Sequence, residues 1–160
     1  MTSNASLMRR FLQRGGLWVI IQAVILAIVV VMAPLCGAYW HAPFLRILGL
    51  MLAVGASALG IKGTVDLGRN LTPFPKPGES TRLVQQGIYR YLRHPLYAAV
   101  FCGALGWAML WQSWVALIAA LALGPFFDAK ARREERWLRQ QFPEYAIYEQ
   151  RVRRFIPLIY

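Results

Sequence analysis

The chain predicts an all-α integral membrane protein with four transmembrane helices, and three observations carry that expectation. Of its 160 residues, 58% are hydrophobic and only 16% charged, too apolar for an ordinary soluble domain. The apolar residues fall in long blocks instead of at amphipathic spacing. The formal charge of +11 is concentrated in alternate gaps between those blocks.

The blocks set the spans. Leu17–Leu35 has no charge in nineteen residues, enough to cross a hydrocarbon core of ~30 Å. Phe44–Ile61 carries one charge, Arg46, near its start. Leu96–Phe127 is uncharged over thirty-two residues, too long for one span and suited to two short ones turning at Gln112-Ser113. Arg9-Arg10 before the first block resembles a signal peptide. The block exceeds the roughly 7–15 residues of a signal h-region, so a retained first span is expected.

With four spans, seventeen of the eighteen Lys and Arg residues lie on one side, and Arg46 can snorkel to the other interface. This is the positive-inside distribution, which places both termini in the cytoplasm. The charge therefore reads as topology, with an attraction to anionic lipid headgroups, and no motif supports nucleic-acid binding. Cys36 and Cys102 share no metal-ligand spacing and read as small apolar fillers.

In chain order, a basic lead (1–16) precedes a helical hairpin closed by Pro34–Pro43, and residues 62–160 form the rest of a single membrane domain. Gly49, Ala53, Gly55, Ala56, Ala58 and Gly60 suit close helix packing in the second span. Pro73, Pro75 and Pro77 exclude a helix interior, so Asn70–Gly78 should run extended as one edge of a pocket. Pro95 fits the first position of the third span, with His94 at the N-cap. Gly124-Pro125 predicts a kink or break in the fourth. Phe142, Tyr145, Tyr148, Val152 and Phe155 form a stripe at helical spacing, which predicts amphipathic or re-entrant C-terminal helices lying over the site. The same stripe would equally suit packing on the headgroup layer.

Gly87–Tyr97 places three aromatics, several cations and a His-Pro step where the chain enters an apolar block, and polar groups there are usually kept for function. A helix N-terminus with Arg93 and His94 suits an anion. Tyrosine ring faces attract a cation. Glu134 and Glu135 offer acceptors for an amine or for ribose hydroxyls. A ligand bearing carboxylate, ammonium, hydroxyls and sulfonium, such as S-adenosylmethionine, would satisfy every part. Singly, each residue also fits a plainer role as helix cap, headgroup anchor, interfacial tyrosine or i,i+4 ion pair. These chemical arguments leave the ligand open.

Gly87–Arg90, Arg93-His94-Pro95-Leu96-Tyr97 and the downstream Glu134-Glu135 resemble the motifs of the isoprenylcysteine carboxyl methyltransferase family and the related phospholipid N-methyltransferases. The resemblance runs from about Asn70 to Pro157, with Leu83-Val84 as its lead and Tyr145, Tyr148 and Arg154–Pro157 as its tail. It implies S-adenosylmethionine as cofactor, held by Leu83, Val84, Tyr89, Arg93, His94, Pro95, Leu96, Tyr97 and Glu134. It places Lys130, with Arg133 close by, at an acceptor carboxylate and puts Glu135 on the reacting side. Ala98-Ala99 replaces a step where the family often has glycine, which bears on the substrate pocket.

The resemblance further implies methyl transfer to a lipophilic or prenylated acceptor that enters sideways between spans. A carboxylate acceptor needs no general base, being ionised near neutral pH. A phospholipid amine is the alternative acceptor. A sterol-reductase-like NADPH enzyme, for which no nucleotide fingerprint is present, and a non-catalytic membrane protein are the other classes.

Overall fold

The computed structural model describes residues 2–38, 40–76, 78 and 81–156, without the side chains of 2–5, 7 and 10. Pro77 of the proline-rich edge, Pro157 of the tail and the side chain of Arg10 lie outside the described residues. Among the described residues six α-helices follow one another: α1 Thr2–Gln13, α2 Gly16–Leu35, α3 Pro43–Leu67, α4 Pro95–Leu110, α5 Trp114–Gln141 and α6 Tyr145–Arg151. Short 3-10 turns occupy Gly68–Asn70 and Gly87–Arg90. No strand forms among the described residues, only one isolated parallel bridge between Leu92 and Arg153.

Three helical segments are long and apolar enough to cross a membrane: Gly16–Leu35, Pro43–Asn70 and Trp114–Gln141. The fourth apolar helix, α4, has 16 residues. At 1.5 Å per residue it rises about 24 Å, less than a ~30 Å hydrocarbon core. Its polar entrance lies toward the C-terminal ends of its longer neighbours, beside Gly63 of α3 and Glu134 and Glu135 of α5.

The core lies between α2, α4 and α5, where Val29, Ala104, Ala120, Leu123 and Phe127 are buried together. Beside it, Ala33, Ala108 and Ala116 are fully buried, so small side chains bring the three helices close. The closest approach joins α3 to α4. A Cβ built on Gly106 would stand 2.6 Å from the Gly49 carbonyl oxygen, so this crossing requires glycine. Large residues such as Leu50, Met51, Val54, Ile118 and Leu121 are exposed outward, as a lipid-facing surface requires.

The turn falls where the sequence places it. Trp111–Ser113 joins α4 to α5, with Ser113 Oγ accepting from the Ala116 N–H at 3.3 Å as an N-cap. His94 is the N-cap residue of α4 and Pro95 its first position, although the His94 side chain makes no cap bond. Two expectations are corrected. First, of the kink or break expected at Gly124-Pro125, the break is absent, because α5 continues through Pro125. Packed neighbours hold such a helix despite the missing proline N–H. Second, the stripe after Phe142 yields only the seven-residue α6, because Arg153 and Arg154 leave helical geometry to bond the chain before α4.

Candidate active site

At one end of the bundle the 3-10 turn Gly87–Arg90 delivers the chain to α4. Gly87 has φ +61°, and a side chain there would collide with the Asp66 carboxylate, which accepts from the Ile88 N–H at 2.7 Å. The tail then runs alongside. The N–H groups of Arg93 and His94 donate to the carbonyls of Arg153 and Arg154 at 2.9 and 3.1 Å. The helix entrance expected to be open to an anion is therefore partly capped by the tail.

Buried Glu135 is the electrostatic centre. Arg154 donates to it from Nε at 3.0 Å and from Nη2 at 2.7 Å, and Arg93 Nη1 lies 3.1 Å away. His94 Nε2 stands 3.2 Å from the same carboxylate. An ionised carboxylate only accepts, so that nitrogen carries the proton and Nδ1 faces Glu134 at 3.9 Å. Arg154 also reaches Asp128 at 2.8 Å, which ties the tail to α5 twice. Glu135 thus holds the frame.

A cleft opens beside this frame. Asn70, Thr72, Phe74 and Pro75 line it from the proline-rich segment, and Thr81, Arg82, Leu83 and Val84 from the strand-like stretch that follows. The Asn70 side chain clamps that stretch, donating to the Arg82 carbonyl at 3.1 Å and accepting from its N–H at 3.2 Å. Tyr89, Arg93 and His94 contribute from the approach to α4, Glu134 and Leu138 from α5, and Tyr145 and Tyr148 from α6. Tyr148 donates its hydroxyl to the Tyr89 carbonyl at 2.6 Å, fastening α6 to the cleft wall. The interior room is ≈ 90 Å³ within an envelope of ≈ 630 Å³, so a ligand of cofactor size needs the walls to part.

The sequence-predicted residues divide into three groups. Leu83, Val84, Tyr89, Arg93, His94 and Glu134 line the cleft together. Pro95, Leu96 and Tyr97 stand behind His94 on α4. The Tyr97 ring is stacked between His94 and Phe127, at centroid separations of 5.3 and 5.0 Å, and its hydroxyl donates to Glu134 at 2.6 Å. The residues expected at the acceptor are separated from one another. Lys130 is 2% exposed inside the bundle, donating to Gln22 at 2.6 Å and to the Pro73 carbonyl at 3.4 Å, with the Tyr97 ring 5.0 Å away. Arg133 is exposed on another face of α5, stacked on Trp137. Glu135 is in the ion-pair frame.

Three contributors escaped the sequence reading. Arg154 figured there only as part of a tail motif. Asn70 marked only the start of an extended segment. Gln22 carried a usable signal, being the one amide within the first apolar block, and polar residues inside a span usually face the bundle.

A family model described as phospholipid methyltransferase matches residues 44–145, more than half of the chain. The chain belongs to the phospholipid methyltransferase family. It is similar to the cobalt-zinc-cadmium resistance protein CzcN of Cupriavidus metallidurans, 31% identical over 90% of this chain and 63% of the relative. It is also similar to the protein-S-isoprenylcysteine O-methyltransferase of Schizosaccharomyces pombe, 42% identical over 48% of this chain and 34% of the relative. A solved structure of the eukaryotic intramembrane Ras methyltransferase ICMT superposes with a TM-score of 0.65 at 26% identity, covering 72% of this chain and 43% of that one. The chain spans less than two thirds of the length of these relatives. Family membership and the shared fold agree with the resemblance carried by the motifs, and make the chain an all-helical integral membrane protein.

Proposed function

We propose that this chain is an S-adenosylmethionine-dependent methyltransferase that methylates a lipophilic acceptor carboxylate, of the isoprenylcysteine kind or another lipidic acid. One observation carries the reading: a cleft with mixed polar and apolar lining, Glu134 included, lies one turn of α5 from Lys130, which is buried in the bundle and hydrogen-bonded to neutral partners. Lys130 is hydrogen-bonded to an amide and a carbonyl, with the Glu134 carboxylate acting on it from one turn away, and its third N–H is left to meet a further anionic group. That supports a carboxylate over an amine acceptor.

The cleft residues fit the cofactor by chemistry. Glu134 is half-buried and supplies an acceptor, Tyr89, Tyr145 and Tyr148 supply ring faces, and Leu83, Val84 and Leu138 supply apolar lining. The hydroxyl of Tyr145 and Nε of Arg93 are buried without a partner, leaving donors for a ligand. Bound there, S-adenosylmethionine would supply a methyl group on a sulfonium, whose C–S electrons stay with sulfur as the acceptor oxygen bonds the methyl carbon.

The chain's own part is orientation and exclusion of water. Tyr97 holds Glu134 in place through its hydroxyl, with His94 stacked on the Tyr97 ring, and α6 with Tyr148 covers the cleft. Lys130, held by Gln22 and Pro73, would fix the acceptor carboxylate, which loses its charge as the ester forms. We assign all 160 residues to one membrane domain, 1–61 as the N-terminal hairpin and 62–160 as the methyltransferase core. Its four spans, α4 being the short one, would put both termini and the cleft on the cytoplasmic side, in keeping with the one-sided Lys and Arg.

Purified chain in detergent should bind S-adenosylmethionine saturably, and His94→Ala or Glu134→Ala should abolish that binding. Membranes given methyl-labelled cofactor should then yield a base-labile label in a lipid fraction, as an ester requires. A base-stable label would overturn the carboxylate assignment in favour of an amine, and absence of cofactor binding would overturn the methyltransferase reading.

A further inference from the structure

Two buried donors next to the cleft have no partner, the Tyr145 hydroxyl and the Arg93 Nε–H. Tyr145 is 1% exposed and the Arg93 side chain 11%, and both residues line the cleft. Native interiors leave few such groups, because each forfeits hydrogen bonds to water and gains nothing in return. Arg93 is otherwise engaged, Nη1 lying 3.1 Å from Glu135 and 3.3 Å from Glu149, so its position is fixed while Nε stays free. On the same turn of α6, Tyr148 is fully satisfied by the Tyr89 carbonyl. The contrast within one short helix singles out Tyr145.

The chemistry of the pair narrows what it can hold. Guanidinium nitrogen donates only. Burial pushes the Tyr145 phenol far up, with Glu135 adding and Arg93 opposing through its charge and its approach as a donor to the phenol oxygen, so the hydroxyl keeps its proton at physiological pH and that O–H is left to donate. A neutral donor and a charged donor side by side suit one acceptor-only, negatively charged group. Of the polar groups on the proposed cofactor, the carboxylate is the one of that kind. Its ammonium and hydroxyls suit the acceptor Glu134 on α5 instead.

We propose that Tyr145 Oη–H and Arg93 Nε–H together bind the carboxylate of the cofactor, which makes Tyr145 a ligand-binding residue that draws α6 onto the occupied cleft. This assignment rests on the S-adenosylmethionine reading. It also accounts for an unpartnered hydroxyl in the ligand-free chain.

The test compares two ligands and two proteins by calorimetry in detergent, using the wild-type chain and Tyr145→Phe with S-adenosylmethionine and its decarboxylated analogue. Wild type should prefer the carboxylate-bearing ligand. Tyr145→Phe should weaken binding of that ligand by about tenfold, the range for a hydrogen bond to a charged group, and leave the analogue's affinity unchanged. The ligand-free melting temperature of Tyr145→Phe should stay level or rise, since no partner loses a bond. Equal weakening of both ligands, unchanged binding of S-adenosylmethionine, or a clear drop in melting temperature would each overturn the assignment. If wild type binds neither ligand, the cofactor reading falls as well, whereas unchanged binding by Tyr145→Phe removes only the carboxylate contact.

Discussion

The two ends of the helix bundle are closed by opposite chemistries. At the end away from the cleft the contacts are backbone groups, a neutral amide and aromatic rings, with Trp40 Nε1 and Gln112 Oε1 buried without a partner. The Ala38 N–H donates to the Trp111 carbonyl at 2.9 Å, Gln112 reaches the Ala42 carbonyl at 3.2 Å, and Trp40 meets Trp114 edge-on at 4.2 Å. At the cleft end, Glu135 gathers Arg93, His94 and Arg154 around one buried carboxylate. A membrane protein can finish a helical turn cheaply with amides and aromatics. Burying charge costs desolvation, and replacing such ions by apolar groups is often neutral or stabilising. The charged end therefore bears the mark of a site that must present fixed polar groups to a ligand.

Substitutions that separate the two ends should grade in a definite order. Glu135→Ala leaves Arg93 and Arg154 without their buried counter-charge, and should cost about 3–5 kcal/mol by thermal unfolding in detergent, with loss of cofactor binding. If Glu135→Ala melted like wild type, the carboxylate would have no role in the frame. Gly87→Ala should cost about 1–3 kcal/mol, because φ +61° is unfavourable for alanine and Asp66 occupies the space. Gln112→Ala, at the opposite end, should cost about 1 kcal/mol and leave ligand affinity untouched. A matching fall in affinity would mean the two ends are coupled.

Acceptor chemistry should separate in the same way. Lys130→Met should spare cofactor binding and abolish methylation of a carboxylate substrate, while Arg133→Ala, exposed and stacked on Trp137, should change stability by no more than about 1 kcal/mol and alter neither readout. Equal losses in both would restore Arg133 to the acceptor site.

The pH response gives the mildest contrast. Burial holds the Tyr89, Tyr145 and Tyr148 phenols well above the usual tyrosine value. A raised folded pKa keeps the proton bound in the native state, so stability from these phenols is complete below the unfolded value of about 10 and declines as pH rises past it. Melting temperature should stay flat with respect to these groups from pH 7 to 9 and fall above about 10. Tyr148→Phe should soften that fall.

Much of this was legible residue by residue. The uncharged blocks gave the apolar helices and the turn at Gln112-Ser113, since hydrocarbon demands long apolar runs whatever their neighbours. His94 and Pro95 fell at the predicted helix entrance because proline restricts the backbone locally. Pro125 does not break α5, because a proline inside a packed helix is held by surrounding helices that local sequence does not describe. The continuous Phe142–Phe155 stripe misled for a similar reason. Arg153 and Arg154 gain backbone and carboxylate partners sixty residues and nineteen residues away, respectively, in the approach to α4 and in Glu135.

By itself, then, the sequence determined what depends on local composition: an all-α membrane architecture, the placement of its polar cluster, and the motif that marks its family. Only the tertiary structure decided how the two adjacent glutamates divide. Successive residues on a helix point about 100° apart. Glu134 consequently turns to Tyr97 and the cleft, while Glu135 turns inward to Arg154, Arg93 and His94. Lys130 and Arg133, three residues and so only about 60° apart around the helix, also part company, one into the bundle against Gln22 and the other out onto Trp137. Which side of α5 faces the site is set by packing against α2, α4 and the returning tail, and that information exists only once those segments meet.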